Sequence, residues 1–181
     1  MHKELPNIFI FTDKYNNEIF KKKNTNIGII YRNYNAENRE NQLIKIAKEC
    51  KKSRYQLYIS NDIKLAYKYK ADGIYIPSYN KAKSFVNLEK KNLKIIGSAH
   101  SQEEIRKKIE QKCLGIFLSP LFHIKKSKKF LGIHKFNYLS NSNKVNFFAL
   151  GGISKNNINK LMLVDIKGFG GIGIFKKKPA S

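Results

Sequence analysis

His100 is the residue of this sequence best suited to moving a proton. Its imidazole changes charge near neutral pH, as a general acid–base group must. It stands in Ile96-Gly97-Ser98-Ala99-His100-Ser101, where a short apolar run ends in small polar residues. Ser98 is close enough in sequence to orient a ligand or the imidazole. Asn61-Asp62 ends another apolar run. There a carboxamide could hold a ligand, and a carboxylate could hold a metal ion or simply cap a helix. Arg32 offers a guanidinium fork to a carboxylate, or a surface ion pair. Gly151-Gly152 and Gly170-Gly171-Ile172-Gly173-Ile174 offer bare amides of the kind that cradle phosphate, or tight turns. His2, His123 and His134 have no zinc-ligand spacing with His100, and no HExxH, Walker or GxSxG pattern occurs.

Such residues need a scaffold that gathers strand ends, and the chain repeats one junction. Apolar runs stop at a polar tip at Ser60-Asn61-Asp62, Ile76-Pro77-Ser78, Ser98-Ala99-His100, Leu118-Ser119-Pro120 and Leu150-Gly151-Gly152. Strands are predicted over 5–13, 27–32, 56–60, 73–77, 93–98, 115–119, 146–150 and 165–175. Between them the spacing predicts a stunted helix within 14–25, and a helix over about 38–52. Asn38 or Asn35 would cap the latter, with Leu43, Ile44, Ile46, Ala47 and Cys50 on one stripe. A brief helix follows Asp62, a weakly patterned one covers 80–91, and a clear one covers 102–112. In this last, Ser101 is the cap, Glu104 has the capping-box spacing, and Ile105 and Ile109 face inward. A short helix or turn is expected at 133–141, and one capped by Ser154 near Leu163. Residues 120–132 form the longest irregular connection and carry Lys125, Lys126, Lys128 and Lys129; long loops in α/β units are more often functional than decorative.

Eight strands alternating with helices suggest an α/β protein built as a closed parallel (βα)8 barrel. Such barrels typically have about 250 residues and rarely fewer than about 200. At 181 residues this is a compact, truncated TIM barrel, one domain over 1–181, without a last helix and with a trimmed first one. A doubly wound open sheet is the alternative. Truncation would uncover apolar strand exterior, which a second copy in a homodimer could cover.

The formal charge of +23 comes from 36 Lys and Arg against 13 Asp and Glu. The excess is mostly Lys and is spread through every helix, which argues against a nucleic-acid surface and for a solvated face that draws in anions. Cys50 and Cys113 belong to no CxxC pair and are expected to be buried and reduced. With no signal-peptide run and no membrane-length apolar segment, the expected location is the cytoplasm.

The order and separation of these motifs resemble the thiamine-phosphate-synthase/TenI superfamily. The resemblance rests on Ser60-Asn61-Asp62-Ile63-Lys64-Leu65-Ala66, Ala71-Asp72-Gly73-Ile74-Tyr75-Ile76, Ile96-Gly97-Ser98-Ala99-His100-Ser101, Ser119-Pro120-Leu121-Phe122, Ala149-Leu150-Gly151-Gly152-Ile153 and Gly171-Ile172-Gly173. It implies a (βα)8 barrel and work on thiazole phosphate in thiamine biosynthesis. The synthase branch joins hydroxymethylpyrimidine pyrophosphate to thiazole phosphate with Mg2+. Its Gln-x-Arg-x-Lys strand end reads Ile30-Tyr31-Arg32-Asn33-Tyr34 here, and its second metal aspartate finds no match in Ser78-Tyr79-Asn80. The tautomerase branch needs no metal and uses a histidine in a Gly-x-Ser-x-His-Ser stretch, to which Ser98-Ala99-His100-Ser101 is similar.

The resemblance therefore implies a metal-free thiazole tautomerase. His100 and Ser98 would be catalytic, with Arg32, Asn61, Pro77, Ser78, Ser119, Lys125 and Lys126 at the substrate and Gly151, Gly152, Gly173 and Ile174 at its phosphate. The alternatives are the synthase, with Mg2+ on Asp62, and a homologue that binds a phosphorylated ligand without turnover.

Overall fold

Eight short parallel strands pair in sequence order and close on themselves. In the computed structural model, which describes residues 4–21, 26–34, 37–86, 88, 92–125, 127, 129–141 and 144–172, they are β1 (Ile8–Thr12), β2 (Ile27–Tyr31), β3 (Gln56–Ser60), β4 (Gly73–Ile76), β5 (Lys94–Ala99), β6 (Gly115–Leu118), β7 (Asn146–Leu150) and β8 (Gly168–Gly171). The ring closes through β1 and β8, with Phe9 opposite Gly170. Closure overturns the open-sheet alternative, because each strand has a hydrogen-bonded neighbour on both sides. The helices are α1 (Arg39–Ser53), α2 (Ile63–Lys68), α3 (Gln102–Glu110) and α4 (Gly132–Asn141). In three other connections the helical structure among the described residues is 3₁₀, at Asn17–Phe20, Lys83–Phe85 and Ile158–Leu163. Those turns are how the chain builds the barrel with few residues.

Side chains alternate across each strand, so one set faces the barrel axis and the other faces the helices. The inward set is aromatic: Phe9, Phe11, Ile30, Tyr58, Tyr75, Ile96, Phe117 and Phe148 form one buried cluster. Phe117 lies at its centre, with ring centroids at 5.1 Å from Phe9, 5.4 Å from Phe11 and 5.2 Å from Phe148. Gly170 makes the space, since a Cβ there would stand 2.9 Å from the Phe11 ring and 3.0 Å from Phe117. The outward set, including Ile10, Ile29, Ile59, Ile74 and Ile95, packs with Leu43 and Ile46 of α1 and Ile105 of α3.

Several expected details differ. Asn38 makes no capping hydrogen bond to α1, and Ile44, placed on the inner stripe, is 47% exposed. Asn35 lies outside the described residues. No helix occupies the described part of 80–91 beyond the 3₁₀ turn. Ser154 caps no α-helix: its N–H donates to Asn157 Oδ1 at 2.8 Å, and a turn leads into 3₁₀ structure. Ser101 does cap α3, its Oγ accepting the Glu104 N–H at 3.3 Å. Glu104 reaches back one residue further than a capping box, to the His100 N–H at 2.6 Å. The inner face of α3 is rotated from the expected one. Ile109 is 38% exposed, and Lys108 is fully buried in its place. Cys50 and Cys113 are both free and buried.

Two outcomes follow from this packing. Phe117→Ala should cost about 3–5 kcal/mol in urea unfolding, as large core truncations do. Burial lowers the Lys108 ammonium to about 8, against weaker raising effects from Cys113 and Glu104. The folded protein thus gives up this proton before the unfolded chain does, so stability should rise with pH above 8. Relative to Lys108→Met, the rise should be roughly 1–3 kcal/mol by pH 10. An unchanged difference between the two proteins across that range would contradict it.

Candidate functional site

The inward alternation of each strand ends at the barrel's carboxyl-end rim, and it decides which polar residues arrive there. Arg32 continues the parity of Ile30, Ser98 and His100 that of Ile96, and Ser119 that of Phe117. Beneath them the Phe11, Tyr75 and Phe117 rings fill the interior, with Phe11 at 5.3 Å from Tyr75. The site is therefore a shallow rim over a packed floor. Arg32 is exposed, its guanidinium carbon 5.5 Å from the centre of the Phe11 ring, in cation–π contact.

His100 is exposed at the rim, and its Nδ1 lies 2.7 Å from the Ser119 carbonyl oxygen and 3.2 Å from Ser119 Oγ. With Nδ1–H given to that carbonyl, Nε2 is the acceptor edge of the ring. Ser119 is thus the residue that orients the imidazole. Ser98, expected beside it, is buried and accepts the Tyr75 O–H at 2.9 Å; its hydroxyl belongs to the floor. Pro77 is buried and Ser78 half-buried at the β4 tip.

At the β3 tip, Asn61 takes a left-handed φ of 60°, and its Oδ1 accepts a hydrogen bond from Asn80 Nδ2. Asp62 Oδ1 accepts the Leu65 N–H at 2.9 Å and caps α2. Asp62 Oδ2 pairs with Arg39 Nη1 at 3.1 Å. Both carboxylate oxygens therefore already have donors. Across from them Asn80 presents a neutral amide where a second carboxylate would be needed, and the described residues include no cluster of three or more His, Cys, Asp or Glu side chains. Mg2+ wants several carboxylate or carbonyl oxygens around it. These residues do not fit it.

Gly151 and Gly152 close β7 with φ of 88° and 73°. A Cβ on Gly152 would meet the Phe122 carbonyl oxygen at 2.5 Å, and one on Gly151 would meet Pro120 Cβ at 2.8 Å. The glycines let the segment after β6 lie against them, tied by Leu121 N–H to the Leu150 carbonyl at 2.9 Å and Phe122 N–H to that of Gly151 at 3.1 Å. No α-helix begins here, so any anion would be held by bare amides without a helix end behind them. Lys125 is exposed in the 120–132 connection. Lys126, Gly173 and Ile174 lie outside the described residues.

Residue types alone did not reveal several neighbours of the site. Tyr34 O–H and Ser60 Oγ are 2.5 Å apart, and burial pushes the Tyr34 phenol up to about 12. Arg39 reaches Asp62 from α1, with its Nε buried and unpaired. Strand parity would have placed Tyr75 on the floor; nothing local marks Arg39 or Asn80 as partners. The Asp62 geometry makes a direct prediction. Asp62→Ala should lower stability by about 1 kcal/mol through the lost cap, and millimolar Mg2+ should leave the wild-type melting temperature unchanged. A rise with Mg2+ that Asp62→Ala abolishes would contradict it.

The sequence profile described as thiamine monophosphate synthase matches residues 19–173. A thiamine-phosphate synthase of Prochlorococcus marinus strain SARG is 35% identical over 138 residues, covering 72% of this chain and 40% of that protein. One from P. marinus subsp. pastoris is 32% identical over 164 residues, covering 86% and 47%. The chain thus spans less than half the length of these curated relatives. In fold it is similar to the thiamine phosphate pyrophosphorylase from Pyrococcus furiosus, with a TM-score of 0.76 at 20% identity, covering 93% of this chain and 86% of that one. These relatives carry the synthase name, and they overturn the expectation of a thiazole tautomerase, an isomerase, drawn from the Ser98–Ser101 stretch. That expectation also leaned on Ser98 beside His100, where Ser98 is buried and accepts from Tyr75. Across residues 19–173 the chain belongs to the thiamine monophosphate synthase (TMP-TENI) family.

Proposed function

We propose that the chain carries out the synthase reaction, joining a thiazole phosphate to a hydroxymethylpyrimidine pyrophosphate. The thiazole nitrogen lone pair forms a bond to the pyrimidine methylene carbon, that carbon's bond to oxygen breaks, and pyrophosphate leaves with the electron pair. The observation that carries this reading is the 30–35% identity to three thiamine-phosphate synthases, on a chain whose rim gathers donors and cations around an aromatic floor.

In this reading the Gly151 and Gly152 amides hold the thiazole phosphate, and Lys125 approaches it from the neighbouring connection. Arg32 meets the charge that develops on the departing pyrophosphate, where a fixed cation matters more than it would in water. Asn61, Ser78 and Ser119 contact the substrates, and His100 presents its acceptor edge, Nε2, to them. No step is assigned to Mg2+. No helix among the described residues is long and apolar enough to cross a membrane.

A second reading is favoured by one observation. Asp62 is committed to Arg39 and Leu65, which suits a homologue that binds the phosphorylated ligand without turnover. Incubation with both substrates, following pyrophosphate and thiamine phosphate, separates the two. The synthase reading expects product only when both substrates are present, and a fall of about 10²-fold in kcat/KM for Arg32→Met. Thiazole phosphate binding without any pyrophosphate release, with or without Mg2+, would leave the binding reading.

A further inference from the structure

Lys108 is the one charged side chain among the described residues that is fully buried, and the reaction above gives it nothing to do. Its stem lies against β5, where a Cβ on Gly97 would come within 2.8 Å of Lys108 Cδ. Among the described residues its ammonium has no ion-pair partner in contact, Glu104 acting on it only from farther off: Nζ donates to the Asn80 carbonyl at 2.7 Å and to Gln111 Oε1 at 2.8 Å. Gln111, itself 2% exposed, donates from Nε2 to the same Asn80 carbonyl at 3.1 Å and to that of Ala82 at 2.8 Å. Burying an ammonium without a carboxylate is costly. A methionine would fill the same space without that cost, so filling space does not explain the charge.

The hydrogen bonds from this latch continue to the rim. Asn80 is tied to its own loop by its N–H on the Pro77 carbonyl at 3.1 Å and by its Oδ1 on the Ala82 N–H at 2.8 Å. Its Nδ2 then donates to Asn61 Oδ1. With its carboxamide oxygen turned toward Asn80, Asn61 carries its NH2 on the opposite edge of the same plane, where a ligand can meet it. That edge donates, and the complementary group on a ligand is an oxyanion.

We propose that Lys108, with Gln111, is a positioning residue: it fixes the backbone of Asn80 so that the Asn80 carboxamide holds Asn61 with its NH2 toward a phosphate or pyrophosphate oxygen. A cation on α3 thereby sets the hydrogen-bond polarity of the β3 tip without touching the ligand. The assignment rests on the synthase reading only in what the ligand is.

The test uses the full chain labelled with 13C and 15N. Carboxamide signals of Asn61 and Asn80 are compared in wild type, Lys108→Met and Gln111→Leu, alone and with inorganic pyrophosphate. Both variants should shift the Asn61 carboxamide carbon and split or broaden its NH2 pair, while the Leu65 amide capped by Asp62 stays in place. Pyrophosphate affinity should fall about tenfold, and the KM for the pyrimidine pyrophosphate should rise by a similar factor with kcat within twofold, a split that general loosening would not give. If the wild type makes no thiamine phosphate, the synthase reading falls, and the Asn61 signals still decide the role of Lys108. Asn61 signals unchanged in both variants, or changes that only track a loss of folded protein, would overturn it.

Discussion

The two-residue alternation of eight closed strands is the constraint on which the rest depends. It sends one set of side chains to the axis and the other to the helices, and in this chain the axial set is mostly aromatic. Rings of that size fill the barrel up to the level of Phe11, Tyr75 and Phe117. Packed ring against ring, they occupy the axis beneath the rim. The candidate site therefore lies at the last inward positions of each strand and the connections just above them, the end at which barrels of this kind place their sites.

At that rim, polar groups are held by one another more than by charge pairs. Ser119 orients His100, Tyr75 occupies Ser98, and Asn80 fixes Asn61. Asp62 is the exception, and its partner Arg39 comes from a different helix than the one it caps. The consequence, among these residues, is a set of donors beside a carboxylate, Asp62, that is already paired. The spread-out positive charge of the chain has the same sign, and adds a long-range attraction for phosphorylated molecules that salt would weaken.

Much of the barrel was legible because parallel strands buried on both faces are written as short apolar runs, and β3 and β7 fall where those runs lie. Ser101 and Asp62 were legible as caps for the same local reason. The inner face of α3 was not. Ile105 and Ile109 have the spacing of an apolar stripe, yet the helix turns Lys108 inward because Gly97 leaves room for its stem and two loop carbonyls wait for its ammonium and the neighbouring Gln111 amide. Those partners are 28 to 31 residues away in sequence, and no local pattern announces them. Ser98 misled in a simpler way. Its closeness to His100 in sequence suggested a shared role, whereas its hydroxyl is claimed by Tyr75 on the neighbouring strand. Gly151 and Gly152 were visible as glycines, but the physical reason for them, the approach of residues 120–123, appears only in three dimensions.

The most direct measurement of the central claim is a crystal structure of the protein soaked with thiazole phosphate. A packed floor with a rim site predicts that Phe11, Tyr75 and Phe117 keep their positions while the phosphate lies on the Gly151 and Gly152 amides and the ring sits above Phe11. A thiazole found inside the barrel, with those rings displaced to admit it, would contradict the account.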